Sequence, residues 1–245
     1  MDATVTSLAE LLADPPVVHR DGAGNRVTWQ ASDEVLRVID GHVHEGSRTI
    51  ETGEGLTTIL FALKRAHHIC VSPNEEAIEL IKSYCDSKAI ATDRLQFEVD
   101  CSENALPRLK LTALDLVLID GRHGFPAPFI DWHYTAAALK VGGLVIVDDT
   151  QIWTGQVLRE FLIAEPEWDL VHDFWPRSAI FLKTREGDHA KEWVHQPFVA
   201  ERQLDHSGFA SDVKRGIEMV RSRELRALTQ GVAKRARRYI DGRRV

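Results

Sequence analysis

The chain has 245 residues, of which 44% are hydrophobic and 27% charged, the balance of an ordinary globular protein with room for one sizeable core. The net charge of −7 speaks against a general nucleic-acid binder, and no apolar run approaches the roughly 20 residues that span a bilayer. Three isolated cysteines, Cys70, Cys85 and Cys101, with no Cys-x-x-Cys, suggest neither a zinc site nor a disulfide framework. Met1-Asp-Ala-Thr-Val5 has no basic segment or signal-like core, so the protein is expected to be cytoplasmic.

Residues 1–30 read as an appendage. Ser7-Leu-Ala-Glu10 fits a capping box before a short helix, Pro15-Pro16 ends it, and Asp21 to Asn25 form a loop. Ser32 can cap a helix to about His42, with Val35, Leu36, Val38 and Ile39 as its apolar stripe. Strands and helices then alternate. A strand at about 49–52 meets an acid-x-Gly-x-Gly turn and a helix at about 56–65. A second strand spans about 67–71, with Cys70 as a buried small hydrophobe. Ser72-Pro-Asn-Glu75 combines a capping box with Pro at the first helical position, and the helix runs to about Lys88. A third strand is expected at about 95–99. The fourth, at 114–119, carries the unbroken apolar run Leu116 to Ile119, which suits burial on both faces. A helix near 128–139, a strand at 143–148 and a helix near 155–164 follow. Trp168 to Phe174 and Ala179 to Lys183 close the alternation as two strands joined by a Pro176-Arg-Ser178 turn. Residues 185–212 are polar and carry no clear pattern. Residues 213–240 read as helical, with Val213, Ile217, Val220, Leu225, Leu228 and Val232 at roughly helical spacing. Lys214 to Val245 holds 11 basic and 3 acidic residues, an excess of +8, so the remainder carries −15.

Three strand ends carry acids. Glu51-Thr-Gly-Glu-Gly55, Asp120-Gly-Arg-His123 and Asp148-Asp149 all fall where open α/β sheets bind ligands. Gly53 and Gly55 allow a tight turn and close backbone approach. Glu51, just before that turn, needs a partner if buried. Asp120 and the pair Asp148 and Asp149 end strands expected to be neighbours. Such a cluster is unfavourable without a proton or cation, and hard oxygen ligands suit Mg²⁺. In the alternative, Asp149 caps the next segment and Asp148 bonds loop amides. His123 could be a general base, since a free imidazole titrates near neutrality, and could equally orient Asp120 or contact the cofactor. Trp132, His133 and Trp153 are candidates for an acceptor pocket or for aromatic core packing.

With these elements in order, the chain resembles the class I S-adenosylmethionine-dependent methyltransferases over roughly residues 30–184. Glu51-Thr-Gly-Glu-Gly55 looks like the family's first motif. Leu116-Val-Leu-Ile-Asp-Gly-Arg-His123 and Leu139-Lys-Val-Gly-Gly-Leu-Val-Ile-Val-Asp-Asp149 look like its fourth- and fifth-strand motifs. Ile-Asp-Gly-x-His with a later Asp-Asp is similar to a subgroup containing small-molecule and sugar O-methyltransferases. The resemblance implies an α/β fold: a doubly wound, mostly parallel, seven-stranded Rossmann-like sheet with a reversed last hairpin and helical terminal additions. The expected division is an appendage at 1–30, the cofactor domain at 31–184 and a basic helical extension at 185–245. The implied cofactor site holds Glu51, Gly53, Gly55, Thr57, Ser72, Asp100, Ser102 and Asp120. Glu51 would face the methionine end of S-adenosylmethionine. Asp100 and Ser102 would sit beside the adenine, although Asp100 is equally a turn-former. Asp120 and His123 are the catalytic candidates, and Asp120, Asp148 and Asp149 the Mg²⁺ ligands. One departure stands out. The family places an acid at the end of strand two for the ribose hydroxyls, and here that position reads Cys70-Val-Ser72-Pro73. Ser72 is expected as a helix N-cap, with Glu75 and Glu76 within possible reach.

The expected activity is methyl transfer to a hydroxyl of a small molecule or sugar. The expected partners are a small-molecule acceptor and no membrane; the charge disfavours nucleic acid, although the basic tail could meet an anionic surface, and the C-terminal helix could support self-association. A nicotinamide-dependent oxidoreductase is the rival enzyme. It is weakened by Thr58 at the third glycine of Gly-x-Gly-x-x-Gly and by the closing hairpin. A non-catalytic binding module acting through the basic tail is the third reading.

Overall fold

The computed structural model of the protein describes residues 4–20, 22–188 and 191–203. The chain divides into one compact unit at 1–190 and a second at 191–245. In the second, Trp193–His195 form a 3-10 turn and residues 197–203 are helical. The helix expected over 213–240 and its basic residues lie outside the described residues.

The first unit begins with α1 (Leu8–Ala13), a two-stranded hairpin of β1 (His19–Arg20) and β2 (Arg26–Val27), and α2 (Asp33–His42). Ser7 and Ser32 cap the two helices, each accepting a backbone N–H three residues on. The alternation follows as β3 (Arg48–Thr52), α3 (Leu56–Leu63), β4 (His67–Val71), α4 (Glu75–Ser87), β5 (Leu95–Glu98), α5 (Ser102–Ala105), β6 (Leu114–Ile119), α6 (Ala127–Thr135), β7 (Leu139–Val147), α7 (Trp153–Ala164), β8 (Trp168–Phe174) and β9 (Ser178–Lys183). Seven strands form one sheet in the order β5-β4-β3-β6-β7-β9-β8. All neighbours are parallel except the pairs made by β9, which runs antiparallel to β7 and β8. The closing hairpin was legible because two β-prone runs followed α7 with only a turn between them.

Burial explains the interior. In β6 every residue except Asp115 is buried, as a parallel strand covered on both faces should be. Residues 56–62 of α3 are all buried, so this helix is apolar all round and packed against α2 and β4. Two boundaries differ from expectation. β7 starts at Leu139, not 143, because Leu139 pairs with Leu114 before a register irregularity, and α6 ends four residues earlier to allow it. The N-cap of α4 is Asn74, whose Oδ1 accepts from Ala77 N at 3.2 Å. Ser72 instead accepts the N–H of Asn74 at 3.0 Å, so the expected Ser72 cap is corrected.

The sheet aims the chain. The central strands end in register: Thr52 lies opposite both Val71 and Ile119, and Ile119 opposite Val147. The ladder runs one residue further, with Gly53 N bonded to Val71 O, Asp120 N to Thr52 O and Asp148 N to Ile119 O. Gly53, Ser72, Asp120 and Asp148 therefore leave the sheet side by side. Strand order reverses between β3 and β6, and ligands bind at that kind of switch point.

Candidate functional site

A cavity of about 820 Å³ opens at this switch point. Its floor is the β3–α3 turn, the start of the loop after β6 and the end of β7. The N-terminal segment supplies a wall through His19, Trp29 and Gln30, which composition alone had marked as an appendage.

Gly53 is where the floor needs glycine. Its φ is +89°, and a Cβ there would stand 2.2 Å from the carbonyl oxygen of Asp120. Gly55 is different. Its φ of 163° is extended backbone, and a Cβ would meet only His19 Nε2 at 3.4 Å.

Glu51 does not line this cavity. It is 1% exposed and accepts from Thr57 Oγ1 at 2.6 Å and from Thr58 Oγ1, while His68 Nε2 stands 3.1 Å away. His68 is in turn 2.8 Å from Thr49 Oγ1 and stacked on Phe61 at 4.1 Å. These partners answer the need of a buried carboxylate. They also assign Thr57 to the interior, where its hydroxyl is used by Glu51. Asp100 accepts from Cys101 N, Asn104 Nδ2 and Arg108, which holds its carboxyl below the usual range and makes it the anchor of the turn into α5. Cys101 and Ser102 reach the cavity; Asp100 does not line it.

The acids of the sheet edge separate into two kinds. Asp120, His123 and Asp149 each offer one ligand atom within 4.8 Å of the others. His123 Nε2 lies 3.0 Å from Asp149 Oδ2, and this bond holds the Asp149 carboxyl below its ordinary pKa. Burial, reinforced by Asp148 and Asp149, pushes Asp120 well above its ordinary value. Asp148 also lines the cavity, but its Oδ1 accepts from Ser178 Oγ on β9. Burial raises Asp148 as well. The compact set of candidate donors thus differs from the expected trio of Asp120, Asp148 and Asp149: it holds His123 in place of Asp148, whose Oδ1 accepts from Ser178.

The aromatic candidates also part. Trp132 is core, packed edge-on to Phe161 at 4.8 Å, and His133 sits against Tyr134. Trp153 is 63% exposed and pairs with the exposed Phe125 at 6.5 Å. Phe125 follows His123 by two residues, and the Thr154 hydroxyl donates to His123 O, so these rings, one in the loop after β6 and one at the start of α7, lie near the cluster.

Several residues of the site were not foreseen. Glu54 lines the cavity, bonded to Ser72 and Asn74. Arg177, from the β8–β9 turn, lines it and donates to Gln30 O at 3.2 Å. Gln30 Oε1 is buried there with no hydrogen-bond partner among the described residues. The available signal for Glu54 was an acid inside the glycine turn opposite a strand end that lacked one.

Residues 50–150 match the family described as "Methyltransferase domain". No curated protein matches the sequence. Among solved structures, the cofactor-bound Rv0187 from MTB is 16% identical, with a TM-score of 0.56 over 65% of this chain and 84% of that one. The O-methyltransferase TomG from Streptomyces achromogenes, involved in tomaymycin synthesis and solved with S-adenosylmethionine, is 15% identical, with a TM-score of 0.55 over 74% and 92%. An rRNA methylase from Streptococcus thermophilus is 12% identical, with a TM-score of 0.50 over 65% and 100%. Identities this low establish a shared fold.

Proposed function

We propose that the chain is a class I S-adenosylmethionine-dependent methyltransferase and that it passes the cofactor's methyl group to a hydroxyl oxygen of a small molecule or sugar. The observation that carries this reading is the convergence of Asp120, His123 and Asp149 at the floor of the cavity.

The cavity suits the cofactor on two counts. Gly53 lines it with bare backbone that a bound group can approach closely, and Gln30, also in its lining, has a buried Oε1 with no partner among the described residues. S-adenosylmethionine, when bound, supplies a methyl on a positive sulfur, so alignment of donor and acceptor is the protein's main task. A neutral hydroxyl is a poor nucleophile and must lose its proton. His123 is the group for that, because Asp149 at 3.0 Å orients its ring and stabilises the imidazolium that forms. Asp120 and Asp149 also fit a hard divalent ion such as Mg²⁺, which would acidify the same hydroxyl. The imidazole widens the choice to first-row transition metals.

The exposed rings of Phe125 and Trp153 favour an acceptor with a flat or apolar face. TomG acts in small-molecule synthesis, whereas another neighbour is an rRNA methylase. The net charge of −7 favours the small molecule. Among the described residues no helix is long and apolar enough to cross a membrane. A cytoplasmic location and self-association through residues 213–232 belong to the same proposal. They rest on the sequence pattern alone.

The test incubates the protein with S-adenosylmethionine carrying a labelled methyl and panels of catechols, sugars and short RNA, with and without chelator. Label on a hydroxyl oxygen of a small acceptor supports the reading. Label on nitrogen or carbon, or on RNA alone, refutes it.

A further inference from the structure

One wall of the cavity carries a carboxylate that the methyl-transfer step does not use. Glu54 stands between Gly53 and Gly55 with its side chain only 9% exposed. Its Oε2 accepts from Ser72 Oγ at 2.5 Å and its Oε1 from Asn74 Nδ2 at 2.9 Å. Both donors sit just beyond the end of β4, and both are themselves held. Ser72 Oγ accepts the N–H of Asn74 at 3.0 Å, and Asn74 Oδ1 caps α4 through Ala77 N at 3.2 Å. The plane of the Glu54 carboxylate is therefore fixed by the strand end and the first turn of the helix. His19 Nδ1 is 3.6 Å away, beyond hydrogen-bonding distance.

An ionised carboxylate offers about four lone-pair sites, two on each oxygen. Ser72 takes one on Oε2 and Asn74 one on Oε1. The carboxylate, which its own N–H also approaches, keeps acceptor capacity beyond these bonds, and Glu54 lines the cavity. Two neighbouring acceptors on one rigid group match two neighbouring hydroxyls. A single ammonium would satisfy one oxygen well and the other poorly. Burial raises the pKa of Glu54, which makes donors to it more valuable. S-adenosylmethionine carries one such pair, the ribose diol. Nucleotide-binding sheets commonly hold a ribose hydroxyl with a carboxylate. Here β4 runs out as Val71-Ser72-Pro73, with no carboxylate to give.

We infer that Glu54, reaching across from the glycine turn and pinned by Ser72 and Asn74, binds the two ribose hydroxyls of the cofactor. The inference rests on the cofactor assignment above. On this account the strand end supplies the pins and the turn supplies the acid.

The test is calorimetric titration of S-adenosylhomocysteine and of its 2′-deoxy and 3′-deoxy forms into the wild type, Glu54→Gln and Glu54→Ala. In the wild type each missing hydroxyl should weaken binding by roughly 10- to 100-fold, the range for bonds to a charged acceptor. In Glu54→Ala the deoxy and parent compounds should bind alike, and in Glu54→Gln the penalty should shrink. Circular dichroism reports whether the variants fold; if Glu54→Ala does not, the near-isosteric Glu54→Gln carries the comparison. The same deoxy penalty in the folded variants as in the wild type would overturn the role of Glu54 while leaving the cofactor in place. A wild type that does not bind S-adenosylhomocysteine at all would overturn the cofactor assignment and this inference with it.

Discussion

Gly53→Ala puts the strand-to-turn geometry to a quantitative test. The added Cβ would lie 2.2 Å from Asp120 O, 2.9 Å from Asp120 C and 3.3 Å from Gly121 N. An ordinary carbon–oxygen contact is about 3.3 Å or more, so the two backbones must part by about 1 Å. Neither side is a flexible side-chain end. A φ of +89° adds about 1–2 kcal/mol for a residue with a Cβ, and overpacking of this kind costs about 1–3 kcal/mol. The expected loss is about 2–5 kcal/mol, which lowers the melting temperature by about 5–20 °C in a protein of this size. Native domains typically have about 5–15 kcal/mol to lose, so the variant should still fold at 25 °C. The same displacement moves Asp120 relative to the cavity, and a misplacement of about 1 Å can cost about 100-fold. Gly55→Ala is the control. Its φ is extended and its nearest neighbour is His19 Nε2 at 3.4 Å, so the change should stay near 1 kcal/mol. Thermal melts and titration with S-adenosylhomocysteine read both effects. A Gly53→Ala protein that melts and binds like the wild type would refute the packing of the turn against Asp120.

Glu51, Asp131 and the Asp149 cluster each set a further outcome. Glu51→Ala strips the acceptor from Thr57, Thr58 and His68 and should cost about 2–5 kcal/mol of stability, with cofactor affinity changed only a few-fold; unchanged stability with lost affinity would return Glu51 to the cofactor. Asp131 is buried at 1% exposure, and burial raises its pKa from 3.8 to about 6. Its folded value lies above its unfolded value, so its contribution is fully present below about pH 4 and lost as pH rises towards 6, a fall of up to about 3 kcal/mol. Asp131→Asn keeps an acceptor for Thr52 and should remove that fall, and melting curves parallel to the wild type between pH 4 and 8 would contradict it. Mn²⁺ binding followed by electron paramagnetic resonance should vanish in Asp149→Asn but persist within about tenfold in Asp148→Asn, whose carboxylate is turned to Ser178; equal loss in both would restore Asp148 as a ligand.

The sheet was legible because its evidence is local and repeated. Leu116 to Ile119 suited a strand buried on both faces, and Gly53 suited a tight turn at a strand end. The acids at the strand ends also pointed to the sheet edge where the cavity opens. What escaped was side-chain direction. Glu51 and Glu54 are three residues apart around one glycine, and no local pattern says which enters the cavity. The answer depends on His68 and the α3 threonines taking the first, and on Ser72 and Asn74 taking the second. Asp148 was grouped with Asp149 by adjacency, yet its oxygen is claimed by Ser178 from a strand 30 residues later. The N-terminal wall was hidden for the same reason. His19, Trp29 and Gln30 meet the cavity only through tertiary packing.

The central claim is that this sheet edge is built for S-adenosylmethionine rather than for a dinucleotide. Titrating the wild-type protein first with S-adenosylmethionine and then with NAD tests it in one calorimeter cell. Saturable one-to-one binding of S-adenosylmethionine and no heat from NAD are the expected result. Binding of NAD with none of S-adenosylmethionine would contradict it.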